Sequence, residues 1–265
     1  MKQHLKVRGI NIAYDDYGSG ETIVFIHGQP FNRSMWDQQI GVFKTGYRLI
    51  VPDLRGYGES DMPSGMTLLD ELALDIIHLL EALQIRKATF VGLSMGGQVL
   101  FELYRLAPHL CHALVLADTD AKAESAQSYQ ARLQLSQDLL AKGMQFYTDQ
   151  HLHQFLGKAT MAGKPPVVAH LRDMMVNTNP LGASLVQRGR AERRDHTVML
   201  PDIHCPVLIV VGEEDGFTPV EVAKGMQAHI RNAQLVVIKD ASHMPNMEQP
   251  EIFNHHLELF LQGIQ

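Results

Sequence analysis

Cysteine is nearly missing from this 265-residue chain: Cys111 and Cys205 are the only two, far apart and in no metal-ligand spacing. A disulfide framework is thereby excluded, and two buried free thiols in a cytoplasmic protein are expected. An excess of positive charge is lacking too. The net charge is −6 and no long basic stripe occurs, which argues against nucleic acid as a partner. No apolar run approaches the roughly 20 residues of a membrane span, so no membrane partner is expected. The first residues, Met1-Lys2-Gln3-His4-Leu5-Lys6, carry no apolar core of the kind an export signal needs, in line with a cytoplasmic location. Repeats and low-complexity tracts do not stand out. Gly157-Lys158 resembles the end of a phosphate loop, but Leu152 stands where its first glycine belongs, and no dinucleotide glycine fingerprint occurs.

What is present is an ordinary apolar fraction of 45%, enough to bury a sizeable core in one large domain with an inserted lobe. Residues 4–15 alternate like a hairpin around Arg8-Gly9-Ile10-Asn11. Continuous apolar runs follow at 23–26, 48–53, 88–93, 113–117, 207–211 and 235–238, as strands covered on both faces would show. Helical spacing fills Leu68 to Leu83, with Thr67 and Asp70 at its start, then 95–106, 219–230 and a last stretch from Pro250. Strands alternating with helices predict an α/β fold with a mainly parallel, eight-stranded sheet flanked by helices. The rhythm breaks between residues 121 and 200, which hold helical, methionine-bearing and polar segments without strands. The expectation is a core of 1–120 and 201–265 with an inserted helical cap of 121–200.

Gly92-Leu93-Ser94-Met95-Gly96 leaves the run at 88–93 and opens a helix. Serine is a poor nucleophile at neutral pH; it needs an exposing backbone, a base and an oxyanion site. Glycines two residues to either side permit a turn sharp enough to lift a hydroxyl above a sheet edge, which marks Ser94 as the candidate nucleophile. Parallel sheets gather reactive groups at strand carboxyl ends. The run at 207–211 ends in Gly212-Glu213-Glu214-Asp215, and the run at 235–238 leads into Lys239-Asp240-Ala241-Ser242-His243. Among 14 histidines, His243 stands out by its place in the loop after the last strand, and it is the candidate general base. Asp215 is the favoured acid to orient it, with Glu213, Glu214, Asp118 and Asp120 as competitors. Thr218 is expected to cap the next helix, with Pro219 at its first position and Glu221 closing a capping box that anchors the Asp215 loop. The oxyanion donors are expected to be the backbone N–H groups of Met95 and Gln29, since Pro30 has none.

Several tempting residues read more simply. His27 is expected to be a loop histidine that bonds locally and shapes its turn, and Asp53 through Ser60 a scaffold loop. His151 and His153 point to different helix faces, and neither they nor His255-His256 make a metal site. Arg172, Arg188, Arg190, Arg193 and Arg194 are mostly assigned to a solvated face, any one being open to a role as substrate clamp. Met144, Phe146, Tyr147, Phe155, Met161, Met174 and Met175 divide between cap packing and an apolar pocket.

The chain resembles the serine branch of the α/β-hydrolase superfamily over nearly its whole length outside 121–200. Four blocks carry the likeness: His27-Gly28-Gln29-Pro30 through Met35-Trp36, Asp53 through Ser60, Gly92 through Gly97, and His243 through Pro250. The order nucleophile, acid, base is the one associated with that fold. Within it the chain looks most like the 3-oxoadipate enol-lactonase and cofactor-free esterase and haloperoxidase group. Haloalkane dehalogenases and epoxide hydrolases place aspartate where Ser94 stands. Carbon–carbon hydrolases usually carry asparagine before the serine and tryptophan after the histidine, where this chain has Leu93 and Met244. The resemblance implies an ester or lactone hydrolase acting on a small molecule through an acyl-enzyme, without metal or organic cofactor. A small-molecule receptor with a retained triad, and a lyase, perhydrolase or carbon–carbon hydrolase, are the alternatives. A homodimer is compatible with the sequence, which does not fix the oligomeric state.

Overall fold

A computed structural model describes residues 2–264. Eight strands form one sheet: β1 Lys2–Val7, β2 Ile10–Tyr17, β3 Thr22–Ile26, β4 Arg48–Pro52, β5 Ala88–Leu93, β6 Cys111–Ala117, β7 Val207–Gly212 and β8 Ala233–Ile238. Their spatial order is β1-β2-β4-β3-β5-β6-β7-β8. Only β2 runs against the rest, pairing antiparallel with β1 and β4. The first two strands meet at a tight turn in which Arg8 and Gly9 both take positive φ, 47° and 86°, a pairing suited to a two-residue hairpin loop. Every residue of β5 and β7 is buried, as their unbroken apolar runs require.

The sheet separates two apolar layers. Helices α1 Asp37–Phe43 and, at the other end of the chain, a long C-terminal helix cover one face. Helices α2 Leu69–Ala82 and α3 Met95–Leu106 cover the other. Trp36, fully buried ahead of α1, lies between Phe25 of β3 and Phe253, with ring centroids at 5.1 and 6.2 Å. Between β6 and β7 the chain inserts α4 Ala126–Phe155, α5 Lys158–Gly163, α6 Pro165–Asn177 and α7 Pro180–Ala191. Gly143, at φ 76° and ψ 176°, breaks α4 into two parts. After β7 come α8 Val220–His229, α9 Pro245–Glu248 and the C-terminal helix α10 Pro250–Gly263. No helix of the described residues is long and apolar enough to cross a membrane.

Local expectations needed correction in four places. The short helices α1 and α9 carry too few turns for a periodic pattern to show in the sequence. Thr67 does not start α2: its hydroxyl bonds the Gly65 carbonyl at 3.3 Å, and Glu71 instead accepts the Leu68 N–H at 3.0 Å. Thr218 does not cap α8, which begins at Val220 behind Pro219 with no side-chain cap. Cys111 is buried as expected, but Cys205 is only partly so.

Candidate active site

Ser94 occupies the junction of β5 and α3 at φ 55° and ψ −115°, a region that non-glycine residues rarely adopt. The neighbouring backbone leaves no room for side chains. A Cβ on Gly92 would lie 2.6 Å from the Gly96 carbonyl, and one on Gly96 would collide with the Ile26 carbonyl. The turn is pinned from β6: Ser94 N–H donates to Ala117 O at 2.8 Å, and the Thr119 hydroxyl donates to Ser94 O at 2.7 Å. Strain at Ser94 is thus held in place by β6 and the segment that follows it.

His243 lies between Ser94 and Asp215. Its Nε2 is 2.8 Å from Ser94 Oγ and its Nδ1 is 2.9 Å from Asp215 Oδ2. Asp215 also accepts the Thr218 hydroxyl at 2.5 Å and the Phe217 N–H at 2.8 Å. The hydroxyl expected to cap α8 is therefore spent on the carboxylate. Burial alone would raise Asp215, but the charge and hydrogen bond of His243, with the bonds from Thr218 and Phe217, bring it down to about 2. An ionised Asp215 makes Nδ1 a donor, which leaves Nε2 to accept the Ser94 proton. The His243 ring is packed by Phe155 and Phe217, with centroids at 5.8 and 4.8 Å.

The competing acids fall elsewhere. Asp118, at the end of β6, accepts the Gly212 N–H at 2.9 Å and does not touch His243. Burial, and then the charge of Asp215, push its carboxyl well above the usual carboxylate range. Glu214 accepts the Lys158 N–H at 3.2 Å, and Asp120 accepts the Lys122 N–H at 3.0 Å. Glu213 is exposed. Asp118, Asp215 and His243 form the one group of metal-ligand type found among the described residues, their donor atoms within 4.8 Å of one another. The His243–Asp215 hydrogen bond accounts for part of that closeness.

Gln29, in the loop after β3, lines the cavity beside Ser94, and Met95 opens α3 directly after Ser94. Among the described residues neither backbone N–H has a protein acceptor. His27 holds the first of these loops. Its Nδ1–H donates to Gly28 O at 2.8 Å and its Nε2 accepts the Leu54 N–H at 3.0 Å, with burial pressing the ring toward its neutral form. Asp53 accepts the N–H groups of Arg33 and Glu59 at 2.8 and 2.9 Å, as a scaffold loop would.

Ser94 and His243 open on a cavity of about 260 Å³ whose other wall comes from α4 and α7. Of the seven methionine and aromatic candidates only Tyr147 and Phe155 line it. Met144, Met174 and Met175 are core, while Phe146 and Met161 are exposed. Of the five arginines, Arg188 and Arg194 face water and Arg172 partly does, as a solvated face would have them, while two lie at the cavity. Arg190 is 7% exposed and Arg193 is also largely covered; both line the cavity together with Arg132, which the sequence had not singled out. His151 lines it and His153 does not.

Comparison with known proteins agrees with this architecture. Residues 23–256 match the alpha/beta hydrolase family. The chain is 32% identical to 3-oxoadipate enol-lactonase 2 of Acinetobacter baylyi, over 99% of this chain and 97% of that protein. A thermophilic esterase from Thermogutta terrifontis, solved with malate bound, superposes with a TM-score of 0.96 at 32% identity, covering 100% of this chain and 99% of its own. The enol-lactonase from Burkholderia xenovorans LB400 superposes at 0.92 and 26% identity, covering 98% and 100%.

Proposed function

Since the chain belongs to the α/β-hydrolase family and is a hydrolase, we propose that it cleaves small carboxylic esters or lactones through an acyl-enzyme on Ser94. The observation that carries this reading is the unbroken hydrogen-bond chain from Ser94 Oγ through His243 to Asp215, beside two unengaged backbone donors. Ser94 Oγ attacks the carbonyl carbon as His243 Nε2 takes its proton. The tetrahedral oxyanion is received by the Gln29 and Met95 N–H groups, each such donor contributing about 3 kcal/mol to the transition state. Collapse breaks the ester C–O bond, and the leaving oxygen takes the proton back from His243. Water, deprotonated by the same nitrogen, then attacks the acyl-enzyme and releases the acid and Ser94. Asp215 keeps the imidazole in the required tautomer and stabilises its cation.

Residues 1–120 and 201–265 act in this proposal as the catalytic core and 121–200 as a cap that closes the cavity and selects what enters it. The enol-lactonase and esterase relatives support small carboxylic esters or lactones as substrates. The test is Ser94→Ala. Turnover of p-nitrophenyl acetate should drop by about 10⁴-fold or more while circular dichroism and the melting temperature hold. A fluorophosphonate should label the peptide containing Ser94 in the parent protein and nothing in the variant. Retained turnover in clean Ser94→Ala protein would overturn the assignment.

A further inference from the structure

Asp118 is a buried acid on the cavity wall, 1% exposed, that the reaction above leaves without a task. It follows β6 at φ 45°, a left-handed backbone that residues other than glycine rarely hold. Two bonds tie it to β7: its N–H donates to Val210 O, and its Oδ1 accepts the Gly212 N–H, both at 2.9 Å. Its Oδ2 is buried and has no hydrogen-bond donor among the described residues. What stands close is a second acid. Donor atoms of Asp118, Asp215 and His243 lie within 4.8 Å of one another. Glu248 adds negative charge, while Asp120, Arg132, Arg190, Arg193 and His151 line the same cavity without bonding Asp118. Two ionised carboxylates this close repel, and one proton between them turns the repulsion into a hydrogen bond. Asp215 already takes donors from His243, Thr218 and Phe217, while Asp118 takes only one. The proton therefore falls to Asp118. Burial and the charge of Asp215 raise its carboxyl in the same sense, and a side-chain hydrogen bond joins the two acids.

We propose that Asp118 is a positioning residue of the hydrolysis: its Oδ2–H donates to the Asp215 carboxylate and braces it against His243 Nδ1, while Gly212 N–H fixes Oδ1; this rests on the Ser94 reading above. Asp215 has to orient the imidazole without taking its proton. A neutral neighbour that donates to Asp215 keeps it a carboxylate and adds no second negative charge beside the ring. An ionised Asp118 would overstabilise the imidazolium and hold back the proton that the leaving oxygen needs. In the sequence Asp118 competes with Asp215 for one role; in the fold the two divide it.

The test is a pair of substitutions. Asp118→Ala removes the donor, and kcat on p-nitrophenyl acetate should fall about 10–100-fold with KM little changed, the scale of one hydrogen bond to a charged group. Asp118→Asn offers Gly212 the same acceptor and Asp215 an N–H donor, and it should restore most of that loss. The acid limb of kcat/KM should keep its place in Asp118→Asn, because one neutral group replaces another. A move of that limb to lower pH by about one unit or more would mean that a negative charge had been lost, and overturns the proposal. The His243 Nδ1 proton, followed by NMR, separates support of Asp215 from plain packing. Its resonance should shift in Asp118→Ala and return toward the parent position in Asp118→Asn; an unmoved resonance in Asp118→Ala overturns the proposal, as does an unchanged kcat. Should Asp118→Ala fail to fold, infrared spectra of the parent and Asp118→Asn decide. Their difference at neutral pH should show the carbonyl stretch of one neutral carboxylic acid in the parent, and a carboxylate band in its place overturns the proposal. That measurement needs no turnover. If the parent cleaves no ester, the Ser94 reading has failed, and the spectra still judge the Asp118 proton by themselves.

Discussion

Asp118 and Asp215 follow adjacent strands, and the fold pushes their carboxyls in opposite directions. Asp215 is surrounded by donors and brought down to about 2, while Asp118, beside it and with one backbone donor, is pushed well up by burial and by its neighbour. The sequence could rank them only by loop chemistry, and it favoured Asp215 through a helix cap that does not form. The contact with His243 nevertheless falls to Asp215, because Thr218 fixes the carboxylate itself rather than the helix. Asp215→Asn keeps the shape but offers an amide that can hold Nδ1 in the wrong tautomer. Its kcat should fall by on the order of 10⁴ with KM little changed, measured on p-nitrophenyl acetate. A loss below tenfold would show that the imidazole is oriented by something else.

Among elements, the loop bearing His243 depends on a helix of four residues. Glu248, at the end of α9, accepts the N–H groups of Ser242 at 2.7 Å, Met244 at 3.3 Å and Gly157 at 2.6 Å. It thereby grips both flanks of His243 and ties them to the segment leaving α4, whose Phe155 carbonyl accepts the His243 N–H at 3.1 Å. Burial raises the Glu248 carboxyl against these bonds. Glu248→Ala strands three buried N–H groups, worth about 3 kcal/mol together. The melting temperature should drop by about 6–10 °C, and kcat should fall more than KM rises as the imidazole loses its fixed seat. The long apolar strands and the glycine-flanked serine were legible because their patterns are local. A one-turn helix, and a carboxylate that serves three backbone groups from distant parts of the chain, leave no periodic trace.

Over the whole molecule, the alternation of strands and helices was readable from residue 4 to the last helix. How the insertion attaches was not. Glu102 of α3 is buried among Arg105, Arg194 and His196, the last two beyond the end of α7, at 2.8, 2.9 and 3.1 Å. Burial would raise it, but His196, Arg194 and Arg105 outweigh that and hold it at about 2, against an ordinary 4.5. Because its folded value is the lower one, the stability it lends is complete above the ordinary glutamate range and lost as pH falls toward 2. Glu102→Gln should therefore melt below the parent at neutral pH, with the gap closing as the solution is acidified through that window. A gap constant with pH would show that packing, not charge, makes the attachment.

The two walls of the cavity have separate origins: one is built by loops at strand ends, the other by helices inserted in the connection between β6 and β7. Away from Phe155, which touches His243, mutation on the second wall is expected to alter shape and charge with the reacting groups left in place. A lineage built on this plan can change its diet while its chemistry stands still.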